Sequence, residues 1–335
     1  MLNTLKTLTA VRAVSGREKA VSDKILKLIA PLTDSVRSDA MGSLIAFKKG
    51  TGKDGERRRR MLCAHMDEIG FLVTFIDDNG YLRIAPIGGI NFVAYAYSLV
   101  EFANGVKGIL VPESGTAPAD LRAEKFYIDI GAKDKKEAEK KVKIGDYCAV
   151  EGRVERLVGK RVAGRPFDDR IGCAMLIKIA EALQKDPCED DVYFVFAVQE
   201  EVGLRGSKTA AYGVDPDSAL NFDVTLTGDS LGSKPMACSV GGGAAIKIKD
   251  SSLICDAELT EKLISLAKEK GIKSQCEILL AGGTDTASVQ VSRAGVRVGA
   301  ISVPTRYIHT GLEMMDLNDV TAGVELAVAW LHNND

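Results

Sequence analysis

The sequence predicts an α/β fold that is interrupted by an all-β insertion. In the last half of the chain strands and helices alternate, and a helix at 171–183 precedes an apolar strand at 191–198. Between residues 70 and 159 short apolar runs alternate instead with Gly, Asn, Asp and Pro. We therefore predict an α/β domain from residues 1–69 and 160–335, with a β-barrel-like second domain at 70–159.

Individual segments carry their own signals. Residues 19–32 repeat apolar side chains at helical spacing, and Ser15 and Glu18 before them have the spacing of a capping box. The run DVYFVFAV at 191–198 is apolar almost throughout, as expected of a strand buried on both faces. We predict further strands at 61–64, 219–222, 244–248, 277–280 and 296–303, and further helices at 257–270, 284–293 and 317–332.

The composition of the chain argues against a nucleic-acid-binding protein and against a membrane protein. The chain has 335 residues, of which 46% are hydrophobic, and a formal net charge of −2 that argues against nucleic acid as a partner. No run reaches the ~20 consecutive apolar residues of a membrane span, and the N-terminal segment has the pattern of an amphipathic helix. The seven cysteines are scattered and never form a C-x-x-C pair. We expect a cytoplasmic protein without a membrane partner.

Imidazole and carboxylate side chains follow several of the predicted strands. His65 comes after the strand at 61–64, and Glu200 and Glu201 come after 191–198. Asp223 and His309 stand in the same relation to the strands at 219–222 and 296–303. In open α/β sheets ligands bind beyond the carboxyl ends of the strands. These side chains, together with Asp168 at the start of a helix, are therefore predicted to meet at one rim.

Two imidazoles and several carboxylates suit Zn²⁺, Co²⁺ or Mn²⁺, and a bridging carboxylate can hold two such ions ~3.5–4 Å apart. Asp67 lies two residues from His65, so an extended chain points both side chains to one face and Asp67 can hold the other ring nitrogen. Each pattern alone has a structural explanation, such as a helix N-cap at Asp168 and Asp169. Their joint placement favours a metal site, because two of only three histidines fall in these segments.

Six motifs, in this order, resemble those of the M42 family of metallo-aminopeptidases, the tetrahedral or TET type. They are AHMDEIGF, PFDDRIGC, VQEEVGLRGS, FDVT, AGGTDTAS and PTRYIHT, and the resemblance covers almost the whole chain. It implies a three-layer α/β/α metallopeptidase domain with two divalent metal ions per subunit. His65 and Asp223 would bind one ion, Glu201 and His309 the other, and Asp168 would bridge them.

The resemblance further implies that Glu200 is the general base, and the position of Asp67 two residues from His65 makes Asp67 a second candidate catalytic residue. It favours substrate contact for Gly282, Gly283, Thr284 and Asp285. Arg306 and Tyr307, in the loop before His309, are candidates for orienting the ligand or binding substrate, with simple packing as the alternative. It also implies a cis peptide bond between Asp168 and Asp169. The resemblance also implies self-assembly through dimers into a hollow, tetrahedral dodecamer, with the insertion making contacts between subunits.

We therefore predict a di-metal aminopeptidase that removes N-terminal residues from peptides. One alternative is a metal-dependent hydrolase of another bond, either a deacylase of N-acyl amino acids or the glucanase for which relatives are often named. A glycosidase needs two carboxylates that flank a sugar bond, and carboxylates that bind metal suit that poorly. A second alternative is a non-catalytic scaffold that binds peptides. Such proteins typically lack the general base or a metal ligand, whereas every expected position is filled in this sequence.

Overall fold

A computed structural model describes residues 1–333, which form an 11-stranded mixed sheet flanked by helices and a closed six-stranded barrel. The predicted fold class is confirmed. The helices in this range are α1 (Leu2–Thr9), α2 (Lys19–Ile29), α3 (Phe92–Tyr95), α4 (Lys135–Ala138), α5 (Arg170–Lys185), α6 (Arg205–Val214), α7 (Ala257–Glu269), α8 (Asp285–Gln290) and α9 (Leu317–Leu331). None of these helices is both long enough and apolar enough to cross a membrane.

The strands divide between the two sheets. The large sheet contains β1 (Ser35–Ser38), β2 (Leu44–Lys48), β3 (Arg59–His65), β10 (Val154–Arg156), β11 (Arg161–Gly164), β12 (Asp191–Ala197), β13 (Ser218–Thr225), β14 (Ala244–Lys249), β15 (Ser274–Ile278), β16 (Arg297–Arg306) and β17 (Glu313–Asp316). The barrel contains β4 (Gly70–Ile76), β5 (Leu82–Ile87), β6 (Leu99–Phe102), β7 (Lys107–Pro112), β8 (Phe126–Asp129) and β9 (Tyr147–Val150).

The middle of the large sheet is parallel. Strand β12 pairs in parallel with β3, β3 with β13, and β13 with β16. The carboxyl ends of all four strands therefore lie at the same edge of the sheet. The flanking strands β2 and β17 run antiparallel to β12 and β16. Their amino ends therefore lie at this edge, beside the carboxyl ends of the four parallel strands.

Alternation along the central strands explains the layers. In β3, Leu62 and Ala64 join the core beneath α1, α2, α5, α7 and α9, whereas Met61 and Cys63 join the core beneath α6 and α8. Successive strand residues face opposite sides of a sheet, so an apolar run such as this one needs cover on both faces. The helices supply that cover and complete a three-layer α/β/α arrangement.

The barrel has its own apolar core. Buried side chains such as Phe71, Phe102 and Phe126 fill it, and its strands close in the order β4-β5-β8-β7-β6-β9. The barrel strands end at Val150, and β10 already pairs with β11 in the large sheet. The division of the chain into domains at 70–159 stays a prediction.

The N-terminal segment differs from its predicted form. Helix α2 begins at Lys19 without a side-chain cap, so the capping box predicted from Ser15 and Glu18 is wrong. Instead the Ser15 hydroxyl donates to Asp67 Oδ2 at 2.6 Å, and Glu18 accepts a hydrogen bond from the Gln199 amide at 3.0 Å. Both polar side chains have tertiary partners next to the carboxyl ends of β3 and β12, which satisfy them in place of the helix terminus.

Candidate metal centre and active site

The parallel strands carry the predicted site residues to one edge of the sheet. His65 is the last residue of β3, Glu200 and Glu201 follow β12, and Asp223 lies near the end of β13. His309 follows β16 in a loop with a positive φ of 58°. These strands are parallel neighbours, so residues far apart in the chain come within contact distance, as the sequence predicts.

His65, Asp168 and Asp223 form a first triad whose potential ligand atoms all lie within 4.8 Å of one another. His65 Nε2 is 3.0 Å from Asp168 Oδ1 and 4.0 Å from Asp223 Oδ1. All three residues are buried, and His65 is only 2% exposed. The first triad therefore offers one imidazole nitrogen and two carboxylates in a shielded position.

Asp168, Glu201 and His309 form a second triad within the same limit. His309 Nε2 is 3.3 Å from Asp168 Oδ2 and 3.3 Å from Glu201 Oε2. Asp168 thus turns one carboxylate oxygen to each imidazole. A carboxylate in this position can bridge two cations.

The second aspartate of the DDR motif has a different position from the first. Asp169 caps α5 by accepting a hydrogen bond from the Gly172 amide, and its other oxygen accepts one from the His65 amide at 3.2 Å. The peptide bond between Asp168 and Asp169 is cis, so that prediction is confirmed. One aspartate therefore serves the helix terminus while the other faces the two imidazoles.

The charges of the site fit a pair of divalent cations. Burial raises the pKa of Asp223 well above its ordinary value, and the nearby Asp168 carboxylate raises it further. Burial would lower the pKa of His309, but hydrogen bonds to Asp168 and Glu201 raise it to about 11. Several carboxylates thus share one buried cavity with positive charge supplied by the imidazoles. Cations between oxygen and nitrogen donors would relieve this repulsion, and Zn²⁺, Co²⁺ and Mn²⁺ accept such a donor set.

Glu200 faces the same cavity without belonging to either triad. Its Oε2 lies 4.0 Å from His65 Nε2, and its side chain is 10% exposed. Burial raises the pKa of Glu200 well above its ordinary value, the His65 imidazole counteracts this, and the carboxylates of Asp285 and Asp223 add to it. A carboxylate with a raised pKa beside a cation site can accept and release a proton.

Asp67 connects the first triad to the loop that carries Glu200. Its Oδ1 lies 3.4 Å from His65 Nδ1 and accepts a hydrogen bond from the Glu200 amide at 3.0 Å. Its Oδ2 accepts from the Glu201 amide at 3.2 Å and from the Ser15 hydroxyl. The closest Asp67 atom to His65 Nδ1 is its backbone carbonyl oxygen, at 3.2 Å, and the carboxylate lies slightly farther away. The carboxylate also orients the backbone of Glu200 and Glu201.

Sequence reasoning missed two residues that support the site. Ser15 appears in the sequence as a helix cap, and Glu313 carries no motif. Glu313, at the start of β17, accepts hydrogen bonds from the Phe167 and Asp168 amides. Burial raises the pKa of Glu313 to about 7. No sequence signal distinguishes it from other strand-end acids, because its contacts arise only when β17 pairs with β11.

A cavity of about 660 Å³ opens over the two triads. Gly282, Gly283 and Thr284 line it, and their contact with substrate stays a prediction. The other candidates for substrate contact lie elsewhere. Asp285 is 1% exposed and accepts a hydrogen bond from Ser207 below the cavity, and Arg306 forms an ion pair with Asp229 at 2.6 Å.

Tyr307, the last of these candidates, is 53% exposed, and its side chain is not part of the cavity wall formed by residues 1–333. Ile308 and His309 of the same loop line the cavity, and Tyr307 and His309 both adopt positive φ. The barrel also reaches the site. Gly89, which follows β5, lies against the His309 ring, and a Cβ there would be 3.3 Å from His309 Nδ1.

The chain is similar to known aminopeptidases over nearly its whole length. The family model described as M42 glutamyl aminopeptidase matches residues 42–326. A protein of Acetivibrio thermocellus whose name assigns it to the aminopeptidases is 43% identical over 329 residues, which are 98% of this chain and 97% of that protein.

Solved structures agree. The aminopeptidase APDkam598 of Desulfurococcus kamchatkensis superposes with a TM-score of 0.94 at 36% identity, covering 98% of this chain and 94% of that one. The TET1 peptidase of Pyrococcus horikoshii, which can assemble into a tetrahedron or a large octahedral shell, superposes with a TM-score of 0.87 at 33% identity, covering 98% of each chain. The chain therefore belongs to the M42 family of metallo-aminopeptidases and is a peptidase.

Proposed function

We propose that the protein is a di-metal aminopeptidase in which His65, Asp168 and Asp223 hold one divalent cation and Asp168, Glu201 and His309 hold the other. The observation that carries the proposal is the position of Asp168, whose two carboxylate oxygens face different imidazoles at 3.0 and 3.3 Å. When bound, such cations would lower the pKa of a shared water and polarise the scissile carbonyl.

Glu200 is the proposed general base. Its carboxylate lines the cavity beside the first triad, and it is not required as a ligand in either triad. It takes the proton of the attacking water and delivers it to the nitrogen of the departing peptide. Proton transfer of this kind contributes about 10²–10⁴-fold to the rate. The hydrogen bond from the Glu200 amide to Asp67 keeps the carboxylate directed at the cavity.

The arrangement favours peptide bonds over the alternatives. A glycosidase needs two free carboxylates on either side of a sugar bond, ~5 or ~6.5–9.5 Å apart. Here Asp168, Glu201 and Asp223 belong to the triads, which leaves Glu200 as the single uncommitted carboxylate in the cavity wall of residues 1–333. A deacylase could use the same chemistry, so its substrates belong in the test. A non-catalytic scaffold is disfavoured because every ligand position and the base are filled.

The test compares the metal-loaded protein with its Glu200→Gln variant. We expect aminoacyl p-nitroanilides to be cleaved, acetylated amino acids and carboxymethylcellulose to remain intact, and chelation to abolish activity until metal is restored. The variant should keep its metal content, because Glu200 is outside the triads, and lose about 10³-fold in kcat. Full activity of Glu200→Gln would contradict the role of Glu200 as general base. A metal-loaded protein that contains no bound cations would contradict the metal centre.

We also propose that the protein assembles through the barrel into dimers and a tetrahedral dodecamer. Phe75, Leu99 and Ile109 on the barrel are between 40% and 51% exposed, which supports a contact surface there. A dodecamer of 35.8 kDa chains would have a mass of about 430 kDa by light scattering. A monomer mass would contradict assembly, and a large particle formed after deletion of 70–159 would contradict the role of the insertion.

The seven cysteines are free thiols and six of them are buried, which supports the expected cytoplasmic location.

A further inference from the structure

The lining of the cavity is chemically mixed. It contains Glu200 and the five candidate metal ligands, together with glycines and four hydroxyl side chains. It also contains six apolar side chains, here called the apolar wall, which belong to Leu204, Val224, Leu226, Leu279, Ala281 and Ile308. Apart from the ligands and Glu200, no Asp, Glu, Lys or Arg side chain within residues 1–333 lines this cavity. A substrate side chain that turns away from the metal centre therefore meets apolar surface.

The hydroxyl groups of the lining have their protons engaged elsewhere. Thr225 donates to Glu277 at 2.9 Å, and Ser252 donates to Asp250 at 2.7 Å. Ser251 donates to the Gly282 carbonyl, and the Thr284 hydroxyl is 2.9 Å from Thr286 and 3.4 Å from Asp250. Because each hydroxyl carries a single proton, these groups offer only lone pairs to the cavity. A substrate carboxylate would find no side-chain donor on this wall.

The charged residues next to the lining hydroxyls form a buried cluster of one cation and two carboxylates. Lys247 and Glu277 are both fully buried, and the Lys247 ammonium is in direct contact with a Glu277 oxygen and 3.7 Å from Asp250. Burial would lower the pKa of Lys247, but the Glu277 carboxylate raises it, so the ammonium stays charged. The cation that could attract an acidic substrate is therefore already paired and out of reach.

One anionic atom behind the wall lacks a partner. Glu277 Oε2 makes no hydrogen bond within residues 1–333, and it is the atom that a basic substrate side chain would need. This oxygen is fully buried, so a lysine side chain could reach it only by displacing Thr225 or the wall in front of it. A lysine side chain that stays in front of the wall would lose its water without reaching that oxygen.

We propose that the substrates of this enzyme carry an uncharged, apolar N-terminal residue of about leucine or methionine size, and that acidic and basic residues are disfavoured. This assignment rests on the proposed aminopeptidase function and names the substrate class of that site. Apolar contact favours leucine over alanine, and the absence of an accessible charged partner disfavours glutamate and lysine.

The test uses the metal-loaded, full-length enzyme and the p-nitroanilides of leucine, methionine, alanine, glutamate and lysine. We expect kcat/KM for the leucine and methionine substrates to be at least about tenfold higher than for the glutamate and lysine substrates. We also expect it to be about tenfold higher than for the alanine substrate. If glutamate or lysine is cleaved best and the activity depends on Glu200, the aminopeptidase function stands and the substrate assignment is overturned. If no aminoacyl substrate is cleaved, both fail.

A charge placed on the apolar wall provides the matched variant. Leu226 is 45% exposed at the end of β13, so Leu226→Lys should fold. We expect it to raise the ratio of glutamate to leucine cleavage by about tenfold, since the ammonium would pair with the substrate carboxylate. Leu231→Lys is the control, because Leu231 is fully exposed in the same loop and outside the cavity wall. An equal ratio in both variants would overturn the assignment of this wall to the substrate side chain.

Discussion

The two halves of the candidate metal centre are supported in different ways. The His65 side chain is 2% exposed at the end of a central strand, and Asp67 lies beside its second ring nitrogen. The His309 side chain is 35% exposed, lies in a loop, and has Gly89 of the barrel next to its second ring nitrogen. Sheet pairing and buried hydrogen bonds hold the first half, whereas loop conformation and barrel packing hold the second. We expect the first site to be rigid and the second to exchange more easily.

Asp168 belongs to both halves, so its loss should have the largest effect. We expect Asp168→Asn to lose both cations and to reduce kcat/KM by about 10³-fold or more, because each triad loses an anionic ligand. Metal analysis and peptidase assays measure these effects. Asp120→Asn, at an exposed position on the barrel side, is the control and should behave as the unsubstituted protein. If Asp168→Asn retains both cations, Asp168 is not the ligand that the two triads share.

Alanine substitutions of the two histidines separate the halves directly. Each should reduce activity by about 10²-fold or more with loss of one cation, since an imidazole ligand is removed. Added imidazole should partly restore His309→Ala, because solvent reaches that position, and should not restore His65→Ala, which is enclosed. Activity and metal content are measured against imidazole concentration. Equal rescue of the two variants would show that their difference in burial has no functional consequence.

Cation binding at the second half should depend on pH. In the metal-free protein the Asp168 and Glu201 carboxylates outweigh burial and raise the pKa of His309 to about 11, so the imidazole is protonated at neutral pH. A cation must displace that proton, and its affinity should therefore rise about tenfold per pH unit between pH 6 and 8. Competition with a chelating dye measures this slope. In His309→Ala the cation affinity should rise less steeply with pH. A cation affinity that does not depend on pH would contradict the pairing of a protonated His309 with Asp168 and Glu201.

The smallest effect concerns the support of the first half by the N-terminal segment. Ser15→Ala removes the hydrogen bond to Asp67 Oδ2 and should lower kcat/KM by about threefold to tenfold, because Asp67 orients His65 and the Glu201 amide. Steady-state assays at saturating metal measure the loss. Ser15→Thr retains the hydroxyl and serves as the control. If both variants lose the same activity, the effect comes from packing of the segment instead of the hydrogen bond.

Much of the fold follows from local patterns. The apolar run at 191–198 and the helical spacing at 317–332 correspond to β12 and α9 within a residue or two at each end. The meeting of His65, Glu201, Asp223 and His309 could be predicted because strand ends in a parallel sheet share an edge. Asp168 precedes α5 and does not follow from that rule. Their roles in binding metal remain predictions.

The errors have a common cause. Ser15 and Glu18 have the spacing of a helix cap, but their side chains contact Asp67 and the Gln199 amide, which lie far away in the sequence. Asp285 follows a glycine pair that lines the cavity, yet it points inward to Ser207 because it begins α8. A polar side chain takes the partner that folding brings closest, and local spacing does not contain that information.

By itself the sequence determined the order of strands and helices, the β-rich insertion and the residue types that can hold cations, because periodicity and side-chain chemistry are local properties. Only the tertiary structure decided that Asp168 faces both imidazoles while Asp169 caps a helix, that Glu313 supports the backbone there, and that six apolar side chains join the lining of the cavity. Each of these depends on distances between segments that pack together only after the sheet has formed.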